Sequence, residues 1–87
     1  MNSRSDSLDQ KVAYEAAREA LTSEIAFHIA QRAGIKDKTD PAAIDHRDAA
    51  RDLRKVRTGL DPHNLHEIEL VSLLLHSQAL GRRHRRA

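Results

Sequence analysis

The chain has no cysteine and no tryptophan, and one tyrosine and one phenylalanine among its 87 residues. Without cysteine there is no disulfide framework, no thiolate zinc site and no thiol nucleophile, a composition that fits a reducing cytoplasm. Tyr14 and Phe27 are too few for the stacking platforms on which proteins hold single-stranded nucleic acid. No apolar run approaches the ~18 residues of a membrane span, and the opening MNSRSDSLDQ lacks the apolar stretch of a signal peptide. A cytoplasmic protein without a membrane partner is therefore expected. A chain this short buries only about 60–65% of its unfolded surface, so its core is thin and a partner can add stability.

Glycine and proline are scarce too, three and two residues, and their positions suggest helix boundaries. Ser7 followed by Gln10 reads as a capping box opening a first helix, which can run to Ala33 with Gly34 as its C-terminal stop. Asp40-Pro41 reads as an N-cap followed by proline at the first helical position, and Gly59 closes that second segment. Asp61-Pro62 repeats the device for a third helix, which Gly81 would end. Twelve residues of the stretch 11–30 are Ala, Leu, Ile, Val, Phe or Tyr, without the alternation of a strand. The expected fold is an all-α, three-helix domain over residues 1–81, followed by a basic tail at 82–87.

At 100° per residue the first helix has two apolar sides, one with Val12, Ala16, Ala20, Phe27 and Ala30, the other with Tyr14, Leu21, Ile25 and Ile29. The second helix shows one stripe of Ala42, Ala49, Ala50, Leu53 and Val56, continued by Leu60. In the third helix Leu65, Ile68, Val71, Leu75 and Ala79 form one stripe, while Leu70, Leu73, Leu74 and Leu80 point elsewhere. A contiguous apolar surplus of that kind marks an interface. The expectation is a homodimer, or docking on another protein, through Leu70, Leu73, Leu74 and Leu80 together with Tyr14, Leu21 and Ile25.

The net charge of +2 is unevenly spread. Residues 61–81 hold three acids and no Lys or Arg, whereas the last six residues hold four arginines. Arg47, Arg51, Arg54 and Lys55 lie opposite the stripe of the second helix, where they can reach phosphates, and Arg82, Arg83, Arg85 and Arg86 can add sequence-independent contacts. Asp45, Asp48 and Asp52 alternate with the cations and oppose that use, since Asp48–Arg51 and Asp52–Lys55 are ordinary i,i+3 pairs. Nucleic acid is thus one candidate partner and protein the other. Ile29, Ala30, Ala33, Gly34 and Ile35 resemble the first helix and turn of a helix-turn-helix, but Asp40-Pro41 stands where that motif needs an aliphatic.

Evidence for chemistry is thin. His63, His66 and Glu67 have helical metal-ligand spacings but no third and fourth ligand in sequence, so neither metal nor cofactor is expected. His28 follows Glu24 at i,i+4, a local pair. His46 falls beside Ala50 and Leu53, where a partly buried, hydrogen-bonded imidazole is expected. Ser72 and Ser77 lie inside a helix, without the glycine elbow of a nucleophile. One enzyme reading comes from a resemblance. Three helices ordered long, short, medium resemble the all-helical chorismate mutases, whose long helix and following turn grip two substrate carboxylates with arginines and a lysine. Arg18, Arg32 and Lys36 share one side of the first helix here, and Asp48-Ala-Ala-Arg51-Asp52 approaches the family's Asp-x-x-Arg-Glu. The resemblance implies an intertwined dimer acting on an aromatic dicarboxylate. Against it, Asp48 lies inside its helix, the family's Ile-Asp and downstream Arg are missing, and its terminal Ser and Gln are matched only by Ser77 or Gln78. The balance of the sequence favours a binding or regulatory module over an enzyme.

Overall fold

The computed structural model describes the backbone of residues 3–86 and the side chains of residues 9–79. Three helices follow one another, α1 (Ser3–Ala33), α2 (Pro41–Gly59) and α3 (Leu65–Arg86), with no strand among the described residues. The all-helical expectation holds. The chain divides into two compact units: residues 1–20 with 60–87, and residues 21–59. The long helix α1 gives its first part to one unit and its second part to the other.

In the unit of residues 21–59, the α1 side chains Leu21, Glu24 and Ile25 are buried, as are Ala43 and Ala50 of α2. Alanine on the inner face of α2 lets two helix backbones approach closely. Arg57 of α2 donates from a guanidinium nitrogen to Thr22 Oγ1 of α1 at 3.1 Å. The buried stripe of α2 is rotated from the expected one. Ala43, His46, Ala50, Leu53 and Arg57 turn inward, while Ala42 and Val56 are exposed.

The end of α1 is not made by glycine in the way expected. Gly34 donates its N–H to Ala30 O at 3.2 Å, and no described residue has a left-handed backbone. Instead Lys38 Nζ donates to Arg32 O, which also accepts from Ile35 N, and to Ile35 O, each at 2.6 Å, placing a cation at the carbonyl end of the helix. Beyond it, Asp37 Oδ1 accepts from Thr39 Oγ1 (2.6 Å) and Thr39 N (2.9 Å). The Thr39 hydroxyl first, and then its backbone N–H, holds the Asp37 carboxyl below its ordinary range. Since the folded value lies below the unfolded one, the stabilisation is present above the unfolded pKa of about 3.9 and is lost as pH falls through the folded value. Thr39→Val should therefore raise the Asp37 midpoint in an NMR titration; an unmoved midpoint would contradict the turn. Asp40 then caps α2 as expected, its Oδ1 accepting from Ala42 N at 2.8 Å.

In the other unit, Ala17 of α1 is buried with Leu60, Ile68 and Leu75. Val71 and Ala79 are half-buried, so the expected inner stripe of α3 holds except for exposed Leu65. The start of α3 differs from expectation. Asp61-Pro62 makes a turn, in which Asp61 Oδ1 accepts from His63 N at 2.8 Å and Asp61 O from Asn64 N at 3.1 Å. The cap is Asn64, whose Oδ1 accepts from Glu67 N at 3.1 Å while its Nδ2 donates to Glu67 Oε2 at 3.3 Å. The N-cap and N3 side chains thus engage each other as in a capping box, except that Glu67 accepts from the Asn64 side chain while the Asn64 backbone N–H goes to Asp61 O. The first helix also departs from its expected cap: α1 begins at Ser3, before Ser7, and Gln10 Nε2 donates to Pro62 O at 3.0 Å.

Gly81 does not end α3, because the helix runs through it to Arg86. A Cβ at position 81 would meet nothing within 4 Å. Gly81→Ala should then stabilise the protein by about 0.5–1 kcal/mol, through the freedom that glycine loses in a helix. Urea unfolding tests this, and a destabilised variant would show that the helix breaks at residue 81.

Candidate functional site

Among the described residues, four places can support chemistry or binding. The first is the outer face of α3. Its inner stripe of Ile68, Val71, Leu75 and Ala79 takes up one side of the helix, and Leu70, Leu73 and Leu74 are turned away. Leu70 is 53% exposed, Leu73 67% and Leu74 59%. At 100° per residue these three occupy one arc opposite the buried stripe, which Ser77 shares. Leu80 was expected on the same surface, but its side chain lies outside the described residues.

The α1 part of the expected interface is corrected by burial. Leu21 is 1% exposed and Ile25 5%, so both belong to the core and are closed to a partner. Tyr14 is half-buried. On the opposite side Val12, Ala16 and Ala30 are exposed while Ala20 and Phe27 are half-buried, and Ile29, on the side of Leu21, is 46% exposed. At Leu21 and Ile25, burial removes more apolar area from water than burial of the alanines opposite would.

The second place is the basic side of α2. Arg47 lies 3.1 Å from Asp48, which also lies 3.6 Å from Arg51, and Arg51 is 3.6 Å from Asp52. The expected Asp48–Arg51 pair is formed. Arg54 and Lys55 are exposed, and among the described residues neither enters an ion pair. Half of the cationic face is thus matched by its own acids and half is open. Arg82, Arg83, Arg85 and Arg86 have side chains outside the described residues.

The third place is a side-chain cluster in the unit of residues 21–59. His28 Nδ1 and His46 Nδ1 meet at 2.9 Å. Glu24, itself buried, brings Oε1 to 3.6 Å from His28 Nε2. Phe27 stands edge-on to both imidazoles, with centroids 5.2 and 6.3 Å away. The Glu24–His28 pair and the hydrogen-bonded His46 were both expected; their union was not. Two ring nitrogens at this distance share a proton as N–H···N. Among the described residues, no group of three or more His, Asp or Glu is placed to hold a metal ion. His63 and His66 lose their shared helix face, since His63 sits in the turn before α3.

An open cleft of about 400 Å³ lies along Gln10, Lys11, Tyr14, Glu15, Pro62 and His63. It contains no nucleophile paired with a base. Of the residues in the mutase comparison, Arg18 stands over the Tyr14 ring at 5.9 Å. Arg32 is half-buried, with its Nε enclosed and without a hydrogen-bond partner among the described residues. Asp48 lies in mid-helix between two arginines, and Ser77 and Gln78 are exposed. The link between α1 and α2 runs from 34 to 40, longer than the three- or four-residue turn of a helix-turn-helix. No helix among the described residues is long and apolar enough to cross a membrane. No family model, curated protein or solved structure matches the chain.

Proposed function

We propose that this protein is a binding module that docks on protein through the outer face of α3. The observation that carries the reading is the exposure of Leu70, Leu73 and Leu74 on one arc of a helix whose opposite side is already packed. Single exposed leucines are ordinary, but three that adjoin on one face form a patch of the kind that marks a contact surface. A photo-reactive amino acid at position 73 tests it in the full chain in its native cell. Protein adducts at 73, and none at exposed Asp52, support docking. No adduct at 73 refutes it.

Duplex nucleic acid on the α2 face is the second reading, favoured by open Arg54 and Lys55. If it holds, Arg54→Gln with Lys55→Gln should flatten the dependence of log K on log salt by about two units. No measurable binding to duplex DNA, or an unchanged slope, would remove it.

A further inference from the structure

We propose that the occupant of the α3 face is a second copy of this chain, docked antiparallel through α3 itself. The inference rests on the docking reading above and adds the partner and its orientation. His66, Leu70, Leu73, Ser77, Leu80 and His84 follow one another at alternating steps of four and three, the spacing of a coiled-coil seam. The helix backbone is continuous across all six positions. Its 22 residues give a length of about 33 Å, enough for three heptads. The inner stripe avoids the seam, and its described side chains, His66, Leu70, Leu73 and Ser77, are exposed. Leu70 and Leu73 are seam residues and are exposed; Leu74 flanks them.

Charge decides both the partner and the direction. Glu67 and Glu69 stand near the start of α3, no Lys or Arg follows until residue 82, and Arg82, Arg83, Arg85 and Arg86 crowd its end. Two parallel copies would set acids beside acids and arginines beside arginines. Two antiparallel copies set each acidic end against an arginine end, so the helix is complementary to itself under a two-fold axis. Helical register then opposes Leu70 to Leu80 of the second copy and Leu73 to Ser77. On the flank it opposes Glu69 to Arg83, and His76 meets its own equivalent near the axis. A shift of one heptad would oppose Leu70 to Leu73 of the second copy but would lose the Glu69–Arg83 pair, so charge sets the register.

Sedimentation equilibrium on the purified full chain should show a monomer–dimer equilibrium at low salt. Leu73→Asp should weaken the dimer by about thirtyfold or more, the effect of losing a central contact on both sides. Circular dichroism should show its helicity unchanged at dilution, since the side chain is exposed. Glu69→Arg alone and Arg83→Glu alone should each weaken the dimer by about tenfold, and the two together should restore it. A dimer sensitive to Leu73→Asp but without charge-swap rescue overturns the antiparallel register. A monomer at every concentration overturns the second copy as occupant. In that case adducts at position 73 of a mass other than two chains leave the docking reading standing, and no adducts remove both.

Discussion

Leu21→Ala should cost about 2–5 kcal/mol of folding stability, whereas Leu73→Ala should cost the isolated chain less than about 0.5. Among the described residues, Leu21 and Ile68 are the largest side chains that the fold encloses completely, and truncating either removes transfer energy and leaves a void. Proteins carry roughly 0.05–0.15 kcal/mol of stability per residue, so a chain of 87 residues has only about 4–13 kcal/mol to lose. Leu21→Ala should therefore lower the melting temperature by some ~10–30 °C, or leave the chain largely unfolded at the low end of that range. The cost should not vary with protein concentration. Any loss at Leu73, by contrast, should grow with concentration, because it acts through association rather than through the core. Thermal melts of both variants over a dilution series distinguish the two. Equal, concentration-independent losses would mean that the α3 outer face is not open.

The contrast between these leucines shows where sequence reasoning ran short. Helix number and the inner stripe of α3 were legible, because aliphatic spacing at three and four residues needs no knowledge of neighbours. The two-sided first helix was not resolved by spacing. Both sides of α1 are apolar, and the difference in bulk between Leu21 or Ile25 and the alanines opposite was the usable signal. Expectation placed Leu21 and Ile25 at a partner surface; the fold uses them as core. The exposed arc of α3 needed no correction at the three leucines whose side chains are described.

Helix ends were legible where a local pattern had no competitor. Asp40-Pro41 is such a case. At the start of α3 two patterns lie three residues apart: Asp61 accepts within the turn, and Asn64 with Glu67 closes the first turn of the helix. That reciprocal pair stands in the sequence and could have been read. The role of Lys38 could not, because nothing in local spacing says that an ammonium will fold back over the end of α1. Glycine at 34 and 81 suggested stops by habit of composition, yet neither adopts the backbone that only glycine tolerates. Likewise the Glu24–His28 spacing was visible at once, while its connection to His46 depends on how α2 lies against α1.

That connection carries the last prediction. Glu24 beside Nε2 favours the His28 proton there, which makes His28 Nδ1 the acceptor and His46 Nδ1–H the donor. The Nδ1-protonated tautomer of His46 should be visible in nitrogen NMR at neutral pH. His46→Leu should destabilise the protein by about 1–3 kcal/mol, because it leaves a part-buried ring nitrogen of His28 without its donor. His28→Leu should cost more than His46→Leu, since Glu24 loses a neighbour as well. Once His28 is gone, however, removing His46 breaks no further bond, so the double variant should be less destabilised than the sum of the singles. A coupling of about 0.5–3 kcal/mol is expected from urea unfolding of the four proteins. Strict additivity would mean that the two imidazoles do not share a proton in solution, and that Phe27 merely packs beside two independent rings. A large coupling would identify the cluster as the polar tie between α1 and α2, formed where the buried residues of α2 are both alanine.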